Sequence, residues 1–164
     1  MRDRALAPSP IALFLLGLAE RGADGSVDVG GRQVILRKGQ VVDVRPAEGD
    51  GDLIAFLRDS GRADVAALEA AQRDARETGT PVEQLLVERD LIAANTLRDV
   101  RRRLWLDRLV RGMARVAAEG REPAPLQPDV RTASEGAATN LVSLILDALE
   151  RRAADADAGQ VGAR

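Results

Sequence analysis

Two stretches of this chain carry the same apolar rhythm. LIAFLRDSGRADVAALEAAQRDA, Leu53 to Ala75, superposes on VEQLLVERDLIAANTLRDVRRRL, Val82 to Leu104, at an offset of 29 residues, Leu57 falling on Leu86. The same offset pairs Leu53 with Val82, Phe56 with Leu85, Ala63 with Ile92, Leu68 with Leu97, Ala71 with Val100 and Ala75 with Leu104. Identities are few, yet the apolar character matches wherever a side chain would face a core. Each copy reads as a short helix, a turn at Gly61 or Asp90, and a longer helix. Neither copy could bury its apolar stripe alone, so the two are expected to pack on one another.

Upstream of the repeat the period changes. Ser9 is a favourable N-cap and Pro10 a favourable first helical residue, which predicts a helix from Pro10 to about Glu20, ended by Gly22 and Gly25. The segments SVDV, RQVILR and QVVDV that follow are short and rich in Val and Ile. Gly30-Gly31 and Lys38-Gly39 separate them and suit tight turns. This predicts a three-stranded meander from Ser26 to Val44, with Val27, Val29, Val34, Leu36, Val41 and Val44 on its inner face. So small a sheet needs a cover, and the first helix is the nearest one.

Helices are expected near Asp52–Asp59, Asp64–Thr78, Pro81–Arg89 and Asn95–Ala118. In the last of these, Leu97, Val100 and Leu104 share one stripe at ~100° per residue, whereas Leu106, Leu109, Val110, Met113 and Val116 centre on a nearly opposite one. Either the helix breaks near Trp105 or its halves bury against different bodies: the repeat for the first, the terminal helix Asn140–Ala153 or a partner chain for the second. The expected fold class is α+β, an N-terminal helix plus a small antiparallel three-stranded meander, followed by a mostly helical tandem-repeat bundle. By residues, the helix and meander take 1–50, the repeat 51–118, a Pro-rich loop 119–138, a C-terminal helix 139–154 and a disordered tail 155–164.

From Ile11 to Val44, IALFLLGLAERGADGSVDVGGRQVILRKGQVVDV resembles the PatA-type N-terminal (PATAN) domain. The shared pattern is a helix, a Gly-led strand, a second strand and a third that opens Gly39-Gln40-Val41-Val42. The tandem units are similar to the N-terminal domain of type II secretion and type IV pilus assembly ATPases, with LLV before a turn and a Leu-x-x-Ala/Leu pattern after it. The second resemblance implies a ligand question, because some members of that family bind cyclic di-GMP. Their motif opens each unit with Arg-Leu-Gly and places a Gln late in its second helix. Carried onto this chain, the Arg positions fall at Asp52 and Pro81, the Gly positions at Ile54 and Glu83, and the Gln positions at Ala75 and Leu104. None of the motif residues survives, and Asp52 and Glu83 would set carboxylates against a dianionic ligand. The repeat therefore reads as a scaffold.

Composition narrows the chemistry further. The 164 residues include no Cys, His or Tyr, which removes thiolate catalysis, disulfides and His-based metal sites. Of 24 basic residues only Lys38 is lysine, and it falls in a hairpin turn; the net charge of −2 gives no general call for nucleic acid. The run from Arg98 to Arg115 is the local exception, with seven Arg against two Asp. Phosphate binding competes there with a solvated helix face, and the charge run lacks an aromatic platform. Glu48 to Asp52, EGDGD, lacks the ligand spacing of a calcium loop and reads as a turn feeding a helix. The apolar run Ile11–Leu18 is too short to span a bilayer and lacks the flanks of a signal segment.

These readings converge on a cytoplasmic, non-enzymatic regulatory or adaptor module of a bacterial signalling or surface-motility system, acting through a protein partner. The regulatory setting is what the PATAN resemblance implies. No catalytic, cofactor or metal residues are assigned, no membrane insertion or nucleic-acid binding is expected, and a homodimer is left open. The partner surface is expected at Leu106, Leu109, Val110 and Met113, with Arg101 and Arg102 beside them, or at the sheet edge. The alternative is a cyclic-dinucleotide sensor that binds through the Arg-rich helix.

Overall fold

The computed structural model describes residues 9–128 and 138–161, with side chains to residue 155. Part of the expected Pro-rich loop, 129–137, and the last residues of the expected tail, 162–164, lie outside the described residues. The chain divides into two compact units, one of residues 1–48 with 105–164 and one of residues 49–104.

The first unit begins with α1, Pro10–Glu20, which starts on Pro10; Ser9 takes the N-cap position without a side-chain capping bond. Three antiparallel strands follow, β1 (Gly25–Val29), β2 (Arg32–Arg37) and β3 (Gln40–Arg45). Both connecting dipeptides turn through the left-handed region, Gly30 and Gly31 at φ 61° and 84°, Lys38 and Gly39 at φ 50° and 71°. Two successive positive φ values match the right-handed twist of a hairpin. The six predicted inner-face residues, Val27, Val29, Val34, Leu36, Val41 and Val44, are all buried in one core with Ile11, Ala12, Leu15 and Leu18 of α1.

The second unit contains the repeat. Its helices are α2 (Leu53–Asp59), α3 (Val65–Thr78), α4 (Val82–Glu88) and the start of α5 (Ala94–Glu119). The 29-residue offset holds to the residue: α2 maps on α4, and the start of α3 on the start of α5. It also holds in the turns. Ser60, Gly61 and Arg62 N–H donate to the carbonyls of Phe56, Arg58 and Leu57, and Arg89, Asp90 and Leu91 N–H donate to those of Leu85, Val87 and Leu86. Gly61 and Asp90 both sit at positive φ, 63° and 53°. Leu57, Leu68, Ala71, Leu86, Leu97, Val100 and Leu104 close a separate core with Leu53, Ile54 and Ile92.

Helix α5 does not break at Trp105. It runs unbroken through the unit boundary, giving Leu97, Val100 and Leu104 to the repeat core and Trp105, Leu109, Val110, Met113 and Val116 to the core of the first unit. Of the two outcomes the phase shift allowed, the chain takes separate burial of the two halves.

Two elements depart from expectation. A short β4, Thr139–Asn140, pairs with Gln40 and Val41 of β3 and makes the sheet four-stranded, β1-β2-β3-β4. Two residues are too few to show an alternating period. Helix α6 runs Leu141–Val161, past the expected end near Ala153, and opens on Asn140, whose Oδ1 accepts the Ser143 N–H at 3.1 Å. Leu141, Leu144, Ile145 and Ala148 join the first core, and α6 packs on α1.

Gly112 has a packing duty that its helical position hides. A Cβ there would stand 2.4 Å from the Val29 carbonyl oxygen, and one on Gly30 would stand 2.6 Å from the Gly112 oxygen. Gly112→Ala gains about 1 kcal/mol of helix propensity but drives a methyl into backbone. A net destabilisation of about 1–3 kcal/mol is expected from such overpacking. Urea unfolding measures the sign, and a stabilised variant would refute the close approach. Asp90→Gly relieves a non-glycine residue at positive φ and is expected to raise stability by a few tenths to about 1 kcal/mol in the same assay.

Candidate functional site

The carboxylates of Asp52 and Glu83 are engaged within the repeat. Asp52 is the N-cap of α2: its Oδ1 accepts the Ala55 N–H at 2.8 Å, and its Oδ2 accepts from Gln72 Nε2 at 3.0 Å. Glu83, in the first turn of α4, accepts from Arg101 Nη2 at 3.2 Å. Gln72 and Arg101 occupy equivalent places in the two copies at the 29-residue offset. Each long helix thus sends one polar side chain back to the start of the short helix in its own copy. Ile54 and Leu104 are buried. The Asp52–Gln72 bond was not foreseen; the equivalence of Gln72 and Arg101 was the signal that could have revealed it.

The Arg run on α5 is largely engaged locally. Arg108 is buried, and its Nη1 donates to the Val44 carbonyl at 2.8 Å, tying α5 to the end of β3. Arg111 pairs with Asp107 at 3.0 Å, and Asp107 also meets Arg151 of α6 at 3.2 Å. Arg115 pairs with Glu119 at 2.9 Å, and Arg121 reaches the other Glu119 oxygen at 3.1 Å. The Arg115 hydrogen bond holds the Glu119 carboxyl below its ordinary range, and Glu119 raises Arg115 in turn. A lowered carboxyl pKa stabilises above the unfolded value and fades as pH falls through the folded one, so this pair is intact at neutral pH. It also offsets the unfavourable position of a carboxylate at the C-terminus of α5. Arg98 and Arg103 point to solvent, while Arg101 and Arg102 are half-buried.

The expected partner surface requires correction. Leu109 and Met113 are fully buried and Val110 nearly so, all in the core with the sheet and α6, while Leu106 is half-buried against that core. The stripe is used internally because α6 and the sheet supply the cover it needs. The uncovered apolar side chains are elsewhere. Among the described residues the exposed large hydrophobics are Leu13 of α1 at 53%, Leu146 and Val142 of α6 at 51% and 37%, and Val65 of α3 at 44%. Val142 and Leu146 share a helix face at spacing i, i+4, and α1 and α6 pack together. The terminal helix thus buries one face and leaves Val142 and Leu146 exposed.

The sheet edges are also covered in part. β4 lies on one end of β3, and Gln127 bridges to Ser26 on β1. A cavity of about 210 Å³ opens at the start of β1, lined by Asp24, Gly25, Ile35, Leu36 and Arg37. Asp24 is engaged there, its Oδ1 accepting the Lys38 N–H at 3.0 Å. Among the described residues no cluster of three or more acidic side chains is placed to hold a metal ion, and no helix is long and apolar enough to cross a membrane. Comparison with protein families, with curated proteins and with solved structures gave no match.

The Arg run separates into structural and superficial members by experiment. Arg108→Ala is expected to destabilise the fold by about 1–3 kcal/mol, since it strips a charged donor from the Val44 carbonyl. Arg103→Ala, on the open face, is expected to fall within about 0.5 kcal/mol of the parent. Denaturant melts of both variants decide it, and equal effects would refute the division.

Proposed function

We propose that the chain is a cytoplasmic, non-enzymatic adaptor or regulatory module that acts by protein–protein contact. The carrying observation is the exposed apolar side chains on α1 and α6, two helices that pack together: Leu13, Val142 and Leu146 stand in water while Leu15, Leu18, Leu144 and Ile145 are fully covered. Val142 and Leu146 lie one helical turn apart, and adjoining exposed apolar side chains mark contact surfaces. The resemblance of Ile11–Val44 to the PATAN domain supports a bacterial signalling or surface-motility setting. The loss of the cyclic di-GMP motif at Asp52, Ile54, Ala75, Pro81, Glu83 and Leu104 supports a scaffold role for the repeat.

The reading as a cyclic-dinucleotide sensor through the Arg-rich helix has less support. Arg101 is committed to Glu83, Arg108 to Val44, Arg111 to Asp107 and Arg115 to Glu119. A ligand phosphate would have to displace these bonds. Calorimetric titration of cyclic di-GMP is expected to give no binding at micromolar levels. Binding that Arg101→Ala and Arg102→Ala abolish would reverse the preference.

For the adaptor reading, affinity capture from the native cell is compared between the parent and a Leu13→Glu, Leu146→Glu double variant. Surface changes of this kind leave stability within about 0.5 kcal/mol each, whereas truncating an interface anchor weakens binding by ~10-fold or more. Selective loss of a captured protein, with an unchanged melt, is the expected result. Identical captures would remove the α1/α6 face from consideration, and light scattering of both forms shows whether that partner is a second copy.

A further inference from the structure

The end of α5 is followed by an extended strap, residues 121–128, that lies along the outer edge of β1. It touches that edge through one reciprocal pair of backbone bonds. Ser26 N–H donates to the Gln127 carbonyl at 2.7 Å, and Gln127 N–H donates to the Ser26 carbonyl at 2.8 Å. Leu126 is half-buried against the core of the same unit. The seat exists because residue 25 is glycine: a Cβ there would stand 2.4 Å from the Gln127 oxygen and 3.2 Å from Leu126 Cδ1.

Strand geometry shows what the strap leaves unused. Outward-facing backbone groups alternate along an edge strand, so Asp28 presents its N–H and carbonyl on the same side as Ser26. In the antiparallel register set by Ser26 and Gln127, residue 125 falls opposite Asp28. It is proline, with no N–H to give to the Asp28 carbonyl. The strap therefore meets the edge in the single bridge at Ser26, and Pro125 cannot complete a reciprocal pair with Asp28. The cavity lined by Asp24, Ile35, Leu36 and Arg37 opens at the same glycine.

We propose that the β1 edge is a strand-addition site for an extended, proline-free peptide bearing an aliphatic residue at the Leu126 position, and that the strap is its built-in competitor. An incoming peptide of this kind makes the Ser26 bridge, adds a second at Asp28, and fills the leucine seat. The strap holds the edge closed against less suited chains, which also guards it from pairing with other exposed edges. The site is separate from the α1/α6 face, so its failure leaves the adaptor reading standing, and the converse holds too.

The probe is a fluorescein-labelled peptide, Glu-Thr-Ala-Thr-Leu-Gln-Thr, which is the strap with threonine at each proline. Its anisotropy is followed against the full chain and three variants. Leu126→Ser loosens the strap and raises the open fraction, so the apparent affinity is expected to rise ~10-fold. Pro125→Thr lets the strap reach Asp28 and is expected to weaken peptide binding below the parent. Ser26→Pro removes the shared donor and is expected to abolish binding. Equal affinity across the series, or no binding to a cooperatively folded Leu126→Ser chain, overturns the proposal. Amide exchange on the parent chain supplies a test that needs no variant. Ser26 should exchange far faster than Val34, because its bond opens with the strap; equal protection at the two amides also overturns it.

Discussion

Burial of α5 governs both halves of the molecule. The repeat core closes on Leu97, Val100 and Leu104, and the sheet core closes on Trp105, Leu109 and Met113, so one unbroken helix completes two separate hydrophobic bodies. A straight helix with a single apolar stripe could not do this. The change of phase between Leu104 and Leu106 is what permits it, since neighbouring side chains differ by ~100° around the axis. The arginines fit the same logic. With apolar positions spread over two stripes, the remaining surface must carry enough charge to stay solvated. Arg111 and Arg115 do so beside Asp107 and Glu119 four residues away.

Features whose physics is local and periodic were readable from the chain. The inner face of the meander, Val27 through Val44, follows from alternation between two turns, and the two-residue turns follow from Gly30-Gly31 and Lys38-Gly39. The repeat offset was legible because every core position had its apolar counterpart, and hydrogen bonds in the two turns repeat at the same offset. What escaped depends on groups remote in sequence. β4 is defined by a partner strand and not by its own two residues. Gly112 is set by the Val29 carbonyl, which no local pattern announces, though a glycine inside so helical a run was a signal. The partner stripe Leu106–Met113 was misplaced for the same reason: periodicity shows that a face is apolar, not which neighbour covers it. The open face fell on α6 and α1 because α6, apolar on more than one side, had a second face to spare.

Asp52 and Glu83 show how carboxylates at the start of short helices are taken up by the structure of the repeat. A carboxylate at the first residue of a short helix has two inexpensive partners: the orphan N–H groups of the helix start and a side chain from the neighbouring helix. Asp52 uses both, through Ala55 and Gln72. Glu83 uses the second, through Arg101. A dianion at either place would face a negative group already holding its donors. Both carboxylates and their donors are committed to one another.

The sheet shows a further economy in how its edges are treated. A strand with an open row of N–H and C=O groups recruits other strands without selectivity. Here β4 pairs with the start of β3, and β1 carries a strap joined to it by one bridge. The strap is held by the Gln127 bridge and by Leu126 in the space that Gly25 leaves, while Pro125 offers Asp28 no donor. Such a contact is strong enough to exclude weak competitors and weak enough to yield to a chain that pairs with both Ser26 and Asp28.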